Sequence, residues 1–209
     1  MFEAQKSCEF ILKIQKDKEA CAIDPEGTSR GQTVLWNLSS CDVNPYNTTT
    51  GILLEGRVQG FTNTVCLVNM YAPYKERKYF WEAVNSIGAL RLKNLIIGGD
   101  MNFTLFSNEV WVTLAPLDPL ASFLQDLFFR NNLVDIHLEK LIPTWKNNRH
   151  WDKGGGKILD RFFLENCFLD RENLRFGTWN IVANLFGHCP ITLQIEEEEP
   201  GKKFPFKFN

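Results

Sequence analysis

The stretch from Asn94 to Asn102 constrains the fold of this chain more than any other. It begins with three apolar residues, Leu95 to Ile97, a run typical of a strand that is covered on both faces. Two glycines follow and allow backbone or ligand to approach closely where the strand ends. Asp100 and Asn102 come next, and a chain that stays extended would point both side chains the same way. The stretch predicts a polar site at the end of a buried strand, although alone it also fits a polar turn.

Composition places few limits on function. The 209 residues suffice for one domain with a full core, and 44% hydrophobic and 23% charged residues are ordinary values for a globular protein. A net charge of −2 gives no global sign of nucleic-acid binding, but a local basic patch stays compatible with it. The six cysteines lack zinc-ligand spacing, and no signal peptide or transmembrane run is visible. We expect reduced thiols in an intracellular protein.

Strands alternate with amphipathic helices along the chain, which is the order of an α/β layered domain. Strands are predicted at residues 33–36, 51–54, 64–70, 95–97, 157–164 and 189–195, with turn and loop residues at 44–50. Helices are predicted after Ser7, over residues 75–90, and after Asp118, which would cap its helix ahead of Pro119. Their apolar faces are Phe10, Ile11 and Ile14; Phe80, Trp81, Val84 and Ile87; and Leu120, Phe123, Leu124, Leu127 and Phe128.

Four short motifs occur in a recognisable order. They are Asn-Met-Tyr-Ala-Pro at 69–73, Gly-Gly-Asp-Met-Asn at 98–102, Ile-Leu-Asp-Arg-Phe at 158–162, and Gly-His-Cys-Pro at 187–190. With these motifs the chain resembles the endonuclease/exonuclease/phosphatase family, and within it the endonuclease of plant LINE-type (non-LTR) retrotransposons. Residues 71–75, 143–149 and 204–208 add to the likeness, which covers nearly the whole chain.

The resemblance implies an α/β fold of two packed mixed β-sheets flanked by helices, a four-layer sandwich with its site at one end. Residues 1–195 would form this domain, and 196–209 would be a tail leading out of it. The implied reaction is hydrolysis of a phosphodiester bond in double-stranded DNA, with Mg²⁺ or Mn²⁺ as cofactor. Such a reaction needs a water nucleophile and neutralisation of the charge that develops on the phosphate. We expect a monomer that does not bind membranes and that would act in the nucleus if DNA is its substrate.

The resemblance also assigns roles to residues of this chain. Asp100 would orient and activate the attacking water, and Asn102 would hold that water or the phosphate. His188 would donate a hydrogen bond to the phosphate, while Asp160 fixes its tautomer and favours its charged form. Tyr71 would present its phenol to the phosphate or the leaving oxygen.

Two further assignments concern the edges of the site. Thr144 resembles a hydroxyl that binds substrate near the nucleic-acid groove. Glu3 resembles the family's metal-binding glutamate, although only this residue and a nearby lysine agree with that segment.

Each of these residues also has a plainer interpretation. Tyr71 before Ala-Pro fits a packed aromatic at a strand end, and Asp160 beside Arg161 fits a surface ion pair. A single histidine such as His188 fits a structural role. The joint occurrence of the motifs favours the functional interpretation, because otherwise the plainer interpretation of every one of these residues would have to hold independently.

The sequence departs from the family pattern at two places. Gly187 stands where the family has an aspartate directly before its catalytic histidine, so one acidic group is absent. The chain also begins too late to contain the family's opening strand with its asparagine. We therefore expect weak metal binding and marginal stability.

Three functions stay open from the sequence. The first is a DNA-nicking endonuclease of retrotransposon origin, impaired by the missing aspartate. The second is a catalytically inactive relic that binds nucleic acid or protein. The third is a phosphomonoesterase or lipid phosphodiesterase, since this fold hosts those activities too, but the plant LINE-like details argue against it.

Overall fold

The computed structural model of this chain describes residues 12–13, 17–24, 31–111, 116–138, 140–147, 155–169, 174–178 and 187–195. Its helices are α1 (Arg77–Ser86) and α2 (Ala121–Arg130), with 3₁₀ turns at Ala89–Arg91, Ser107–Glu109 and Asn166–Phe168. The strands are β1 (Lys18–Ile23), β2 (Gln32–Asn37), β3 (Cys41–Thr48), β4 (Gly51–Val58), β5 (Val65–Tyr71), β6 (Leu95–Asp100), β7 (Leu133–Ile136), β8 (Trp145–Lys146), β9 (Gly156–Lys157), β10 (Asp160–Glu165), β11 (Leu174–Thr178) and β12 (Ile191–Ile195).

A six-stranded mixed sheet with the order β3-β4-β5-β6-β10-β7 organises the described residues. Only β5 and β6 are parallel, and α1 connects them, while the other neighbours are antiparallel. The predicted central strand is confirmed as β6, and Leu95, Ile96 and Ile97 are all buried. Leu95 and Ile97 pack in one core cluster and Ile96 in another, so both faces of the strand are covered.

Helices cover one face of the sheet. The apolar stripe predicted for α2 packs there, with Leu124, Leu127 and Phe128 buried. Phe128 stacks on Phe163 of β10 with their ring centroids 4.1 Å apart. Trp81 of α1 lies edge-on to Phe128 in the same cluster. Aromatic side chains are therefore part of the core between the helices and the sheet.

Strand pairs cover the other face. Trp36 of the β1–β2 pair packs with Ile52 of β4, and Leu193 of the β11–β12 pair packs with Ile96 and Leu164. Leu67 of β5 contacts both clusters, so they lie on one side of the sheet. The described residues therefore form an α/β sandwich of helices, a central sheet and a second layer of strands, which are three of the four layers that the resemblance implies. Neither helix of the described residues is long and apolar enough to span a membrane.

Several predicted boundaries are wrong for identifiable reasons. Residues 44–50, predicted as a loop, largely form β3, because an edge strand tolerates Pro45 and polar side chains. The predicted strand 157–164 is divided between β9 and β10. Ile87 lies beyond the end of α1 and is 62% exposed. Asp118 is not the cap of α2, which begins at Ala121; it instead accepts a hydrogen bond from the backbone N–H of Leu120.

Some predicted segments lie outside the described residues. They include most of the helix predicted after Ser7, of which Leu12 and Lys13 are helical, and the tail at 196–209.

Candidate active site

Three neighbouring strands bring three polar side chains to one edge of the sheet. Tyr71 at the end of β5 is the register partner of Asp100 at the end of the parallel strand β6. Asp160 begins β10, which runs antiparallel to β6, and its register partner is also Asp100. The sheet therefore places the three residues in one row, although they are far apart in sequence.

The two glycines before Asp100 allow the neighbouring strands β10 and β5 to lie very close to β6. A Cβ at Gly98 would lie 2.5 Å from a ring carbon of Phe162. Gly99 has φ +142, and a Cβ there would lie 2.0 Å from the carbonyl oxygen of Met70. The expectation of a close backbone approach is confirmed, and any side chain at Gly99 would have to displace β5.

The sequence analysis considered an extended chain from Asp100 to Asn102, but the chain turns at this point. Asn102 adopts the left-handed conformation with φ +52, which asparagine tolerates better than most residues. Its backbone N–H donates to Asp100 Oδ1 at 3.1 Å, and its side-chain Nδ2 donates to the carbonyl of Ala72 at 2.7 Å. Both residues nevertheless line the same cleft, because the left-handed turn folds the backbone back toward β5.

His188 lies between the two aspartates. Its Nδ1 is 2.9 Å from Asp160 Oδ2 and 3.2 Å from Oδ1, and its Nε2 is 3.8 Å from Asp100 Oδ2. All three side chains are largely shielded from solvent, and the histidine is 28% exposed. A bond from Nδ1–H to Asp160 fixes the tautomer and leaves Nε2 facing Asp100. The contact between Asp160 and His188 that the resemblance implies is therefore present.

Thr144 is fully buried rather than open to the cleft. Its hydroxyl oxygen accepts hydrogen bonds from the backbone N–H groups of Leu159 and Asp160, each at 3.0 Å. Its carbonyl accepts a bond from the N–H of Cys189, next to His188. In this geometry Thr144 connects the segments that carry Asp160 and His188.

Replacing Thr144 by valine tests this role. The change keeps the shape and removes the acceptor for two N–H groups, so we expect a loss of roughly 1–3 kcal/mol in the free energy of unfolding. Urea unfolding followed by tryptophan fluorescence measures it. The matched control is Thr62→Val in an exposed turn, for which we expect a change within about 0.5 kcal/mol. Equal losses in the two variants would show that the Thr144 hydroxyl holds nothing in place.

Gly187 occupies a conformation that suits glycine. Its φ is +76, and a Cβ would lie 3.1 Å from the carbonyl oxygen of Lys146. Its own carbonyl accepts a bond from the N–H of Lys146 at 2.7 Å, which fixes the strand segment before His188. An aspartate at this position, where the family has one, would therefore be strained.

Residues that the sequence analysis missed surround this row. A cleft of about 800 Å³ opens beside it and is lined by Tyr74, Arg77, Trp145 and Lys157 among others. Arg77 donates to the carbonyl of Asn102 and to Asp118. No local pattern in the sequence distinguishes this arginine from other charges on a helix surface.

Arg161 does not form the surface ion pair with Asp160 that its sequence position allowed. It is 2% exposed and pairs with Glu109 and, at 2.6 Å, with Asp135. Glu109, Asp135 and His137 have ligand atoms within 4.8 Å of one another, which is a metal-like spacing. The guanidinium of Arg161 already pairs with both carboxylates, so we interpret the cluster as a buried ion network.

Comparison with known proteins identifies the fold of this chain. No protein-family model matches the sequence, and no curated protein matches it. Solved structures do share the architecture. The endonuclease domain of TRAS1, a telomere-specific non-LTR retrotransposon, is 16% identical with a TM-score of 0.67, and 94% of each chain is covered.

Two further structures agree. The 3′ phosphatase NExo from Neisseria, bound to a product DNA hairpin, is 12% identical with a TM-score of 0.68, covering 94% of this chain and 85% of that chain. The AP endonuclease LMAP from Leishmania major is 12% identical with a TM-score of 0.62, covering 90% and 81%. The chain therefore has the endonuclease/exonuclease/phosphatase fold, and at these identities the likeness establishes the fold alone.

Proposed function

We propose that this protein hydrolyses phosphodiester bonds in DNA, as a nicking endonuclease of retrotransposon origin. The observation that carries the proposal is the placement of His188 between Asp160 and Asp100 at the end of the central sheet. A histidine held by one carboxylate and facing another is an arrangement suited to acid–base chemistry. The TRAS1 domain, described as an endonuclease of a non-LTR retrotransposon, supports the choice of DNA as substrate.

In the proposed reaction Asp100 accepts a proton from a water molecule as the water oxygen attacks phosphorus. Asn102 holds that water or a phosphate oxygen. Asp160 keeps Nδ1–H of His188 engaged, and a protonated Nε2 donates a hydrogen bond to a phosphate oxygen as negative charge develops there. The bond from phosphorus to the leaving oxygen breaks, and that oxygen takes a proton from the phenol of Tyr71 or from solvent.

A divalent ion fits this site only weakly. Asp100, Asp160 and Asn102 offer the oxygen donors that Mg²⁺ prefers, but both carboxylates face His188 and Gly187 adds no ligand. We propose Mg²⁺ or Mn²⁺ that keeps most of its waters, with Glu3 as a ligand; Glu3 lies outside the described residues. The ion would supply charge neutralisation at the phosphate.

The proposal is tested by relaxation of supercoiled plasmid in Mg²⁺ or Mn²⁺. We expect conversion to open circles that stops with EDTA, and a rate reduced by roughly 10²–10⁴-fold in Asp100→Asn. The matched control is Asp126→Asn on the exposed surface of α2, which we expect to nick like the unmodified protein. Absence of nicking by the unmodified protein, or equal nicking by Asp100→Asn, would contradict the proposal.

Gly187 favours a second candidate function. Without the carboxylate expected at this position, the domain could bind DNA and not cleave it. Fluorescence anisotropy with a labelled duplex separates the two proposals, since the second predicts salt-dependent binding with no nicking in either metal.

A further inference from the structure

Arg77 connects three segments around the proposed site. It is the first residue of α1, and its side chain is 21% exposed. One terminal nitrogen donates to the backbone carbonyl of Asn102 at 2.9 Å and to Asp118 Oδ2 at 2.5 Å. The other donates to Asp118 Oδ1 at 3.1 Å. The planar guanidinium thus binds the carboxylate through both terminal nitrogens and also reaches the loop after β6, a geometry that the single nitrogen of lysine does not reproduce.

Asp118 is held in place independently of Arg77. Its Oδ1 also accepts the backbone N–H of Leu120 at 3.0 Å, in the turn that leads into α2. Burial raises the pKa of Asp118, but the hydrogen bonds from Arg77, Leu120 and Thr104 and the charge of Arg77 together outweigh burial, and its pKa lies below the ordinary value of 3.8. The carboxylate is therefore charged at neutral pH and anchors the guanidinium to a rigid turn.

Asn102 needs such support. Its left-handed backbone, with φ +52, is less favourable than an ordinary conformation even for asparagine. Asp100 holds its N–H, Ala72 holds its side-chain amide, and Arg77 holds its carbonyl. The contact with Arg77 is the one that comes from outside the strand ends, and it closes the turn that carries both Asp100 and Asn102.

We propose that Arg77 and Asp118 are positioning residues: they fix the turn from Asp100 to Asn102 in its working geometry and do not bind the substrate phosphate. The inference rests on the proposed function for its catalytic consequence, but the fixed turn itself is a property of the free protein. The charge of Arg77 is already neutralised by Asp118, so the pair offers little net attraction to a phosphate.

The experiment compares Arg77→Lys with Lys78→Met, an exposed charge on the same helix. Amide hydrogen exchange at Asn102, followed by NMR, is measured in the free protein; we expect at least about tenfold faster exchange in Arg77→Lys and no change in Lys78→Met. In plasmid relaxation we expect Arg77→Lys to lower kcat by roughly 10²-fold with KM unchanged, as misplaced groups do. The salt dependence of duplex binding should keep its slope.

The opposite pattern would overturn the inference. If Arg77 instead bound a phosphate, Arg77→Lys would keep most of the activity and the amide exchange of Asn102 would not change. Arg77→Met would then lower the slope of the salt dependence of duplex binding by about one.

Asp118→Asn is the second variant, because it leaves the arginine in place and should accelerate amide exchange at Asn102 to a similar degree. If the unmodified protein does not nick DNA, the proposed function fails, while the exchange measurement still decides whether Arg77 holds the turn.

Discussion

Arg161→Ala is expected to lose roughly 3–5 kcal/mol in the free energy of unfolding, because it leaves buried carboxylates without a counter-ion. Arg161 and Glu109 are each 2% exposed, and Asp135 is the second partner. Glu109 also accepts the backbone N–H groups of Leu105 and Phe106, so its carboxylate cannot turn toward solvent without opening that loop. Such a loss is a large share of the roughly 5–15 kcal/mol that stabilise most domains. Urea unfolding at pH 7 measures it.

The control is Arg130→Ala, whose partner Asp126 is exposed on α2 and for which we expect a loss below about 1 kcal/mol. Burial raises the pKa of Asp135 above its ordinary value, although the charges of Arg161 and His137 lower it, so removing Arg161 takes away the larger of these two opposing effects. A carboxyl group whose folded pKa is raised binds a proton on folding, and its cost therefore diminishes as the pH falls toward the ordinary value of 3.8. The interpretation as a buried ion network would be contradicted if Arg161→Ala lost no more free energy of unfolding than Arg130→Ala. It would also be contradicted if the loss in Arg161→Ala grew as the pH falls.

His188→Ala is expected to lower the rate of plasmid nicking by roughly 10²–10³-fold, the usual contribution of one hydrogen-bond donor to charge that develops in the transition state. The structural reason is that the Nε2 side of its ring faces Asp100 while Nδ1 is engaged by Asp160. His137→Ala is the matched control, since that histidine is exposed and its ring lies against Phe106 outside the candidate site.

The result must be separated from a folding defect. Urea unfolding of both histidine variants supplies that check, and we expect His188→Ala to stay folded at room temperature. A folded His188→Ala protein that nicks as fast as the control would remove this histidine from the mechanism.

The sequence predicts best where a single segment decides its own structure. The apolar run of β6 and the stripe of α2 are confirmed, because burial follows directly from their local patterns. β3 escaped prediction since its polar residues and Pro45 look like a loop until a neighbouring strand pairs with them. Edge strands depend on a partner that local sequence does not reveal.

The polar networks show the same limit more sharply. Arg161 stands next to Asp160, yet its partners are Glu109 and Asp135, which lie 52 and 26 residues away. No spacing rule could identify them, and the same holds for Arg77 and Asp118 across 41 residues.

The pairing of Asp160 with His188 came from the resemblance to a family and not from the pattern of residues. The resemblance to the family likewise identified Gly187 as a departure from its pattern, and the structure adds the conformational reason why an aspartate would be strained there. With φ +76 and the carbonyl of Lys146 close by, Gly187→Asp would strain the segment that holds His188.

A double-mutant cycle on Asp160 and His188 tests the central claim most directly. Plasmid relaxation is measured for the unmodified protein, Asp160→Asn, His188→Gln and the double variant. If the two residues act as one unit at 2.9 Å, each single variant loses most of the activity and the double variant is about as slow as the slower single one. Losses that multiply in the double variant, or single variants that nick at the unmodified rate, would contradict the account.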